Sequence, residues 1–193
     1  AIRARVASRW IGDVYKRQYA DALVLKLIPE KACTLTRAGE MIKAAAQDKF
    51  PVVHPLNPEI EAITIAVLSS KNAGSDADMR NTVVVSTGIL DWDKPETWTG
   101  TLDRSPCGTG TCAKMATLYA KGELGLNQPF RHQGILDTVF TGELIDEVEM
   151  DTPFPATIPT LSGRAWITGT ANYMLADDDP FPEGFTVGDI WGG

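Results

Sequence analysis

The sequence predicts an α+β domain, and three observations carry that prediction. Two stretches place apolar residues at helical spacing. At least six runs are rich in β-branched residues and bounded by turn formers, and helices and strands do not alternate as a doubly wound sheet requires. At 193 residues, 44% apolar and 22% charged, the chain suits one domain, or two small ones, with a core of its own. Its 17 Gly and 12 Pro are scattered rather than gathered into repeats or low-complexity tracts.

The elements follow in order. Residues Ala1 to Gln18 carry Arg3, Arg5, Arg9, Lys16 and Arg17 against Asp13 alone, a local charge of +4 that leaves −11 on the rest of a chain whose total is −7. An Arg-rich, acid-poor start reads as an organellar presequence or a nucleic-acid arm. The DVYKRQ string within it resembles translated junction sequence, so 1–18 is expected to be non-native or disordered, with the folded unit spanning 19–193. Tyr19 to Ile28 alternates in part and reads as a strand. Thr36 to Phe50 reads as a helix, with Ala38, Met41, Ile42 and Ala45 on one face and Pro51 as its stop. Ile60 to Ser69 and Asn81 to Thr87 read as strands. Thr109 to Lys121 is the second helix, with Thr109 and Thr111 as candidate caps and Gly122 where a left-handed residue usually ends a helix. Glu143 to Met150 and Arg164 to Leu175 complete the strands.

Composition narrows the function classes. No run approaches the roughly 18 to 20 apolar residues of a bilayer span, and no short apolar segment with a small-residue cleavage site opens the chain, which speaks against a membrane. With 25 acidic against 18 basic side chains, the phosphate-neutralising surface of a nucleic-acid binder is not expected. Three cysteines, an odd number without metal-type spacing, point to a reducing, cytoplasmic setting and to no metal site.

The informative segment is Leu102 to Lys114, LDRSPCGTGTCAK. Cys107 lies just ahead of the second predicted helix, whose N-terminus favours thiolate over thiol and carboxylate over acid. Gly108 and Gly110 let backbone N–H groups approach an anion closely. Asp103, four residues earlier, offers an acceptor for a substrate ammonium or iminium N–H. Together these parts fit an α-amino acid held by both charged ends. Alone, a free cysteine reads first as an inert small hydrophobe. Cys33 and Cys112 are read that way, packed on their own segments. The loop lacks the Gly-Lys-Ser/Thr of a phosphate-binding loop. A cysteine–histidine hydrolase would have to recruit His54 or His132, the only two histidines, across the fold.

Asp103-Arg104-Ser105-Pro106-Cys107-Gly108-Thr109-Gly110-Thr111 resembles the signature around the second catalytic cysteine of the proline racemase family, which includes proline racemases, 4-hydroxyproline 2-epimerases and trans-3-hydroxyproline dehydratases. The resemblance continues through Arg80 to Val85, Ala113 to Gly122, Phe140-Thr141-Gly142, Ile158-Pro159, Ser162 to Ala165 with Ile167-Thr168-Gly169, and Asp179 to Phe185, and leaves 1–18 uncovered. It implies a lobe like those of diaminopimelate epimerase, a mixed sheet curled about a central helix, with substrate between two such lobes. The chain resembles the C-terminal lobe. The N-terminal lobe, with its Met-Cys-Gly-His-Gly type loop, has no counterpart in it.

The resemblance further implies cofactor-independent racemisation or epimerisation of proline or hydroxyproline, with proton transfer at Cα by two cysteines. Cys107 would be one of them, Asp103 would hold the ring nitrogen, and the Gly108 and Thr109 N–H groups the carboxylate. One cysteine cannot serve both faces of Cα, so the chain alone is expected to be inactive without the missing N-terminal lobe. Two other readings stay open: a trans-3-hydroxy-L-proline dehydratase, and a non-catalytic binding fragment that keeps the anion nest. Cys107 favours the isomerases, since dehydratases of the eukaryotic type carry Thr there. Full-length members often form homodimers. Asp78 is a candidate for the pocket rim. Cys112 stands where Ser is more usual, and Asp137 where Gly is more usual.

Overall fold

A computed structural model of the chain describes residues 3–4, 25–54, 57–61, 63–86, 88–149, 156–182 and 184. Two helices and nine strands are found among them: β1 (Arg3–Ala4), α1 (Ala32–Gln47), β2 (Val53–His54), β3 (Asn57–Glu61), β4 (Ile65–Ser70), β5 (Met79–Ser86), β6 (Gly100–Leu102), α2 (Gly108–Ala120), β7 (Phe130–Gln133), β8 (Val139–Val148) and β9 (Ala156–Ser162). β2 and β3 form a small hairpin. The others make one mixed sheet in the order β1-β9-β8-β7-β5-β4, with β6 also on β5. The α+β expectation holds.

α2 shows how the sheet curls. A Cβ on Gly110 would touch Val67 and Val83, on β4 and β5, while one on Gly108 would meet Leu161 of β9 and one on Gly142 of β8 would press on Met115. One helix reaches strands from both ends of the sheet order only if the sheet bends around it. Cys112, Met115, Leu118, Phe130 and Leu144 close this inner core. α1 covers the outer face, where Leu35 meets Leu68 and Val84 in a second core. Leu35, Leu68, Val84, Met115 and Leu144 are fully buried, which stabilises the fold by about 1.5–3 kcal/mol apiece relative to leaving them exposed. β5 lies between the two helices and is buried on both faces from Asn81 to Val84, so its residues do not alternate between core and solvent there.

α1 also carries a buried ion pair. Lys43 Nζ lies 3.0 Å from Glu40 Oε2, and the Ser86 hydroxyl donates to Glu40 Oε1 at 2.8 Å, so the helix is fastened to β5 by polar as well as apolar contacts. α2 ends as read, with Gly122 at φ +69° after Lys121.

Several expectations are corrected. The first helix begins four residues before Thr36, at Ala32, and ends three before Phe50, at Gln47. Arg164 to Leu175 forms no strand. It runs irregular and exposed, with Ile167 92% and Tyr173 93% accessible. β propensity makes a strand only where an edge is open, and β9 is already paired with β8 on one side and β1 on the other. Of the expected Tyr19 to Ile28 strand, 19–24 lie outside the described residues, and 25–28 are not strand. Leu27 is instead buried in the outer core, and its carbonyl accepts from Arg80 Nη1 at 3.2 Å. Two residues of the Arg-rich tract, Arg3 and Ala4, pair with Ser162 and Leu161, and 5–18 lie outside the described residues.

Candidate active site

The site begins at a fork in the sheet. One edge of β5 has two partners: β7 pairs in parallel with Met79 and Arg80, and β6 pairs antiparallel with Val84 to Ser86. The ladder is interrupted between them, at Asn81 to Val83, and the 103–107 loop occupies the gap. Asp103 N–H donates to the Val83 carbonyl at 2.9 Å. The Asn81 carboxamide donates to the Pro106 carbonyl at 3.1 Å and reaches the Gln133 carbonyl of β7 at 3.3 Å. Asn81 is completely buried.

The loop folds on itself in steps of two residues. Asp103 Oδ1 accepts from Ser105 N–H at 2.8 Å, and Ser105 Oγ accepts from Cys107 N–H at 3.0 Å. These are the local turns that Asp and Ser favour, so the D-x-S-x-C spacing encodes the path. Gly134 buttresses the loop from outside: a Cβ there would stand 2.9 Å from Pro106 N and 3.1 Å from the Ser105 carbonyl carbon.

The path delivers Cys107 to the N-terminus of α2 at φ +59° and ψ +121°, a sparsely populated conformation for a residue with a side chain, which costs on the order of 1–3 kcal/mol. The cysteine is itself the cap: Sγ accepts from Gly110 N–H at 3.3 Å, and its carbonyl accepts from Thr111 N–H at 3.0 Å. The cap role read for Thr109 and Thr111 therefore belongs to Cys107. The Thr111 hydroxyl turns inward, donating to the Pro106 carbonyl at 3.0 Å and lying 3.0 Å from His132 Nδ1.

Cys107 is 9% exposed. Burial pushes its thiol up, the Gly110 N–H pulls it down, and the nearby Asp103 carboxylate pushes it up again by its charge and by holding the thiol proton. The Thr109 N–H opposes this, but the net direction is upward. The sequence expectation of a thiolate favoured by the helix end is therefore reversed: desolvation and a like charge outweigh the two amides. Asp103, with Oδ1 engaged by Ser105, retains lone pairs for a further donor. Gly108 and Thr109 are half-buried at the open end of α2, where the first-turn N–H groups have no intrahelical carbonyl acceptor and the Thr109 N–H is turned to the Cys107 sulfur. The four expected residues, Cys107, Asp103, Gly108 and Thr109, thus lie together at one helix mouth, where a thiol, a carboxylate and backbone amides stand side by side.

Other candidates fall away. Asp78 is engaged by Arg131, whose N–H and guanidinium donate to its carboxylate at 2.6 and 2.9 Å and hold its pKa below the ordinary value. It ties the start of β5 to β7 through Arg131. Cys112 is buried as expected, whereas Cys33 is exposed on α1 rather than packed. His132 is fully buried beside Phe130, and burial, with the Lys114 charge, lowers it to about 3. It bonds Thr111 and offers Cys107 no base. Asp137 adopts φ +62° in the β7–β8 turn and pairs with Arg80 at 2.5 Å, which accommodates a residue where glycine is the usual choice. Asn81, Ser105 and Gly134 support the loop without standing out in the sequence. Only Ser105 carried a local signal, in its spacing from Asp103 and Cys107. Among the described residues no three or more His, Cys, Asp or Glu side chains are grouped to hold a metal, and no helix is long and apolar enough to cross a membrane.

Comparison with known proteins identifies the family. The chain is 42% identical over 151 residues to a 4-hydroxyproline 2-epimerase of Streptosporangium roseum, covering 78% of this chain and 41% of the relative. It is 34% identical over 150 residues to a trans-3-hydroxy-L-proline dehydratase of Bacillus thuringiensis, covering 78% of this chain and 41% of that protein. A crystal structure of a hydroxyproline epimerase from Agrobacterium vitis, with bound trans-4-hydroxy-L-proline, superposes with a TM-score of 0.66 at 30% identity, over 90% of this chain and 46% of that one. The chain spans about half the length of the curated relatives it matches. The proline racemase family model matches residues 3–186, from β1 through the loop of Cys107 and beyond β9, so the match takes in most of the Arg-rich tract expected to be uncovered, and the chain belongs to that family.

Proposed function

We propose that the chain is the cysteine-bearing lobe of a cofactor-independent proline or hydroxyproline racemase or epimerase. In this reading Cys107 exchanges a proton with the substrate Cα, Asp103 receives the ring N–H groups, and the Gly108 and Thr109 N–H groups receive the carboxylate. The observation that carries it is the Cys107 sulfur at the mouth of α2, bonded by Gly110 N–H and beside the Asp103 carboxylate. Burial and Asp103 keep Cys107 protonated, so it enters the cycle as the acid that returns a proton to one face. A substrate ammonium taking up the Asp103 charge weakens the hold on that proton. A base on the opposite face removes the Cα proton, the carbanion is stabilised beside the helix end, and the Cys107 S–H bond breaks as the new C–H bond forms. The thiolate left behind is the base for the reverse direction.

Inversion needs that second group, and we propose that a second lobe supplies it. The exposed apolar side chains of Trp166, Ile167, Tyr173, Met174 and Leu175 support such a partner surface. The 193-residue chain alone is then expected to show no inversion of L-proline or trans-4-hydroxy-L-proline. In the complete two-lobed polypeptide, Cys107→Ser is expected to lower inversion about 10²–10⁴-fold by chiral chromatography. Unchanged inversion in that variant would remove Cys107 from the reaction, and a ketimine-derived product in place of the epimer would assign the dehydratase.

A further inference from the structure

The carbonyl immediately before Cys107 receives two buried side-chain donors, the Asn81 carboxamide at 3.1 Å and the Thr111 hydroxyl at 3.0 Å. Both donors come from rigid elements, Asn81 from the middle of β5 and Thr111 from the first turn of α2, and both residues are completely buried. Asn81 also spans to the Gln133 carbonyl, so a single amide links β5, β7 and the loop where the ladder is interrupted. Cys107 sits at positive φ and needs such over-determination to stay there.

We propose that Asn81, with Thr111, is the positioning residue of Cys107, fixing the Pro106 carbonyl and thereby the placement of the sulfur against the Gly110 and Thr109 amides. This rests on the assignment of Cys107 as the acting thiol, but its test needs no turnover. His132 belongs to the same device: its Nδ1 lies 3.0 Å from the Thr111 hydroxyl, whose single proton goes to Pro106.

Cys107 alkylation by iodoacetamide, followed by peptide mass spectrometry across pH in the 193-residue chain, reads the thiol directly, with Cys112 as internal reference. Asn81→Ala and Thr111→Val are expected to release the loop, moving the Cys107 profile to lower pH and raising its rate at pH 7 about tenfold, while Cys112 stays within twofold. Thr111→Ser, which keeps the hydroxyl, is expected to restore the original profile. Asn81→Ser serves as a milder truncation if the alanine variant does not fold. Val84→Ala, on the outer face of the same strand, is the control for lost stability. A Cys107 profile unchanged in the Asn81 and Thr111 variants overturns the proposal. So does a rise that Cys112 and Val84→Ala share, because it would mark a structural role alone. If the alkylation results hold while Cys107→Ser keeps full inversion in the complete enzyme, the function fails and the positioning stands.

Discussion

His132 is held neutral in the folded chain, with a pKa of about 3 against an ordinary value of 6.5, because it is desolvated beside the Lys114 charge. The unfolded chain binds its proton near pH 6.5 and the folded chain does not until about pH 3. Across that window the unfolded state carries more protons, so stability rises with pH and falls as pH drops. At 1.36 kcal/mol per pK unit, lowering pH from 7 to 5 removes about 2 kcal/mol, a figure set by the unfolded value because pH 5 lies well above the folded one. Asp78, ion-paired to Arg131, has its pKa lowered. Its contribution is retained above the unfolded value of 3.8 and lost below that window. His132→Asn removes the titration while placing an amide N–H where Nδ1 donates to Thr111. Urea unfolding of the parent and the variant at pH 7 and pH 5 is expected to show the parent losing about 2 kcal/mol more than the variant. Equal losses in the two proteins would refute the assignment of a buried neutral imidazole.

Two further outcomes follow from contacts at the loop and on α1. Gly134→Ala pushes a methyl group against backbone atoms of Ser105 and Pro106 and is expected to cost about 1–3 kcal/mol, read as a lowered urea midpoint. An unchanged midpoint would show that the buttress is not tight. Cys33 is exposed while Cys107 and Cys112 are buried, so limited alkylation should modify Cys33 first, and earlier labelling of Cys112 would contradict the inner core as described.

What the sequence disclosed was what local chemistry encodes. α1, α2 and the Gly122 stop follow from periodicity and from one residue's tolerance of positive φ, and β5 follows from its unbroken Thr-Val-Val-Val run. The Asp103 and Cys107 pairing was legible because the loop's turns are made by its own side chains. Long-range partners were not. Asn81 reads as an ordinary polar residue opening a strand, and only the diverging β6 and β7 turn its amide into a bridge. β6, β7 and β9 span three, four and seven residues and carry mixed patterns, so pairing and not composition defines them. The error at Arg164 to Leu175 has the same origin, since its residues suit a sheet but no described strand lies beside it. The thiol went the other way from the helix-end expectation because sequence reveals the dipole but not the depth of burial.

The interrupted ladder on β5 has a mechanical consequence. Loops that handle ligands are commonly drawn from the weakly held parts of a fold, whereas the 103–107 loop is sewn to a strand buried on both faces, by Asp103 at one end and Pro106 at the other. If Cys107 is the acting thiol proposed above, these bonds make it a fixed anvil, and the parts that admit and enclose a ligand must do the moving.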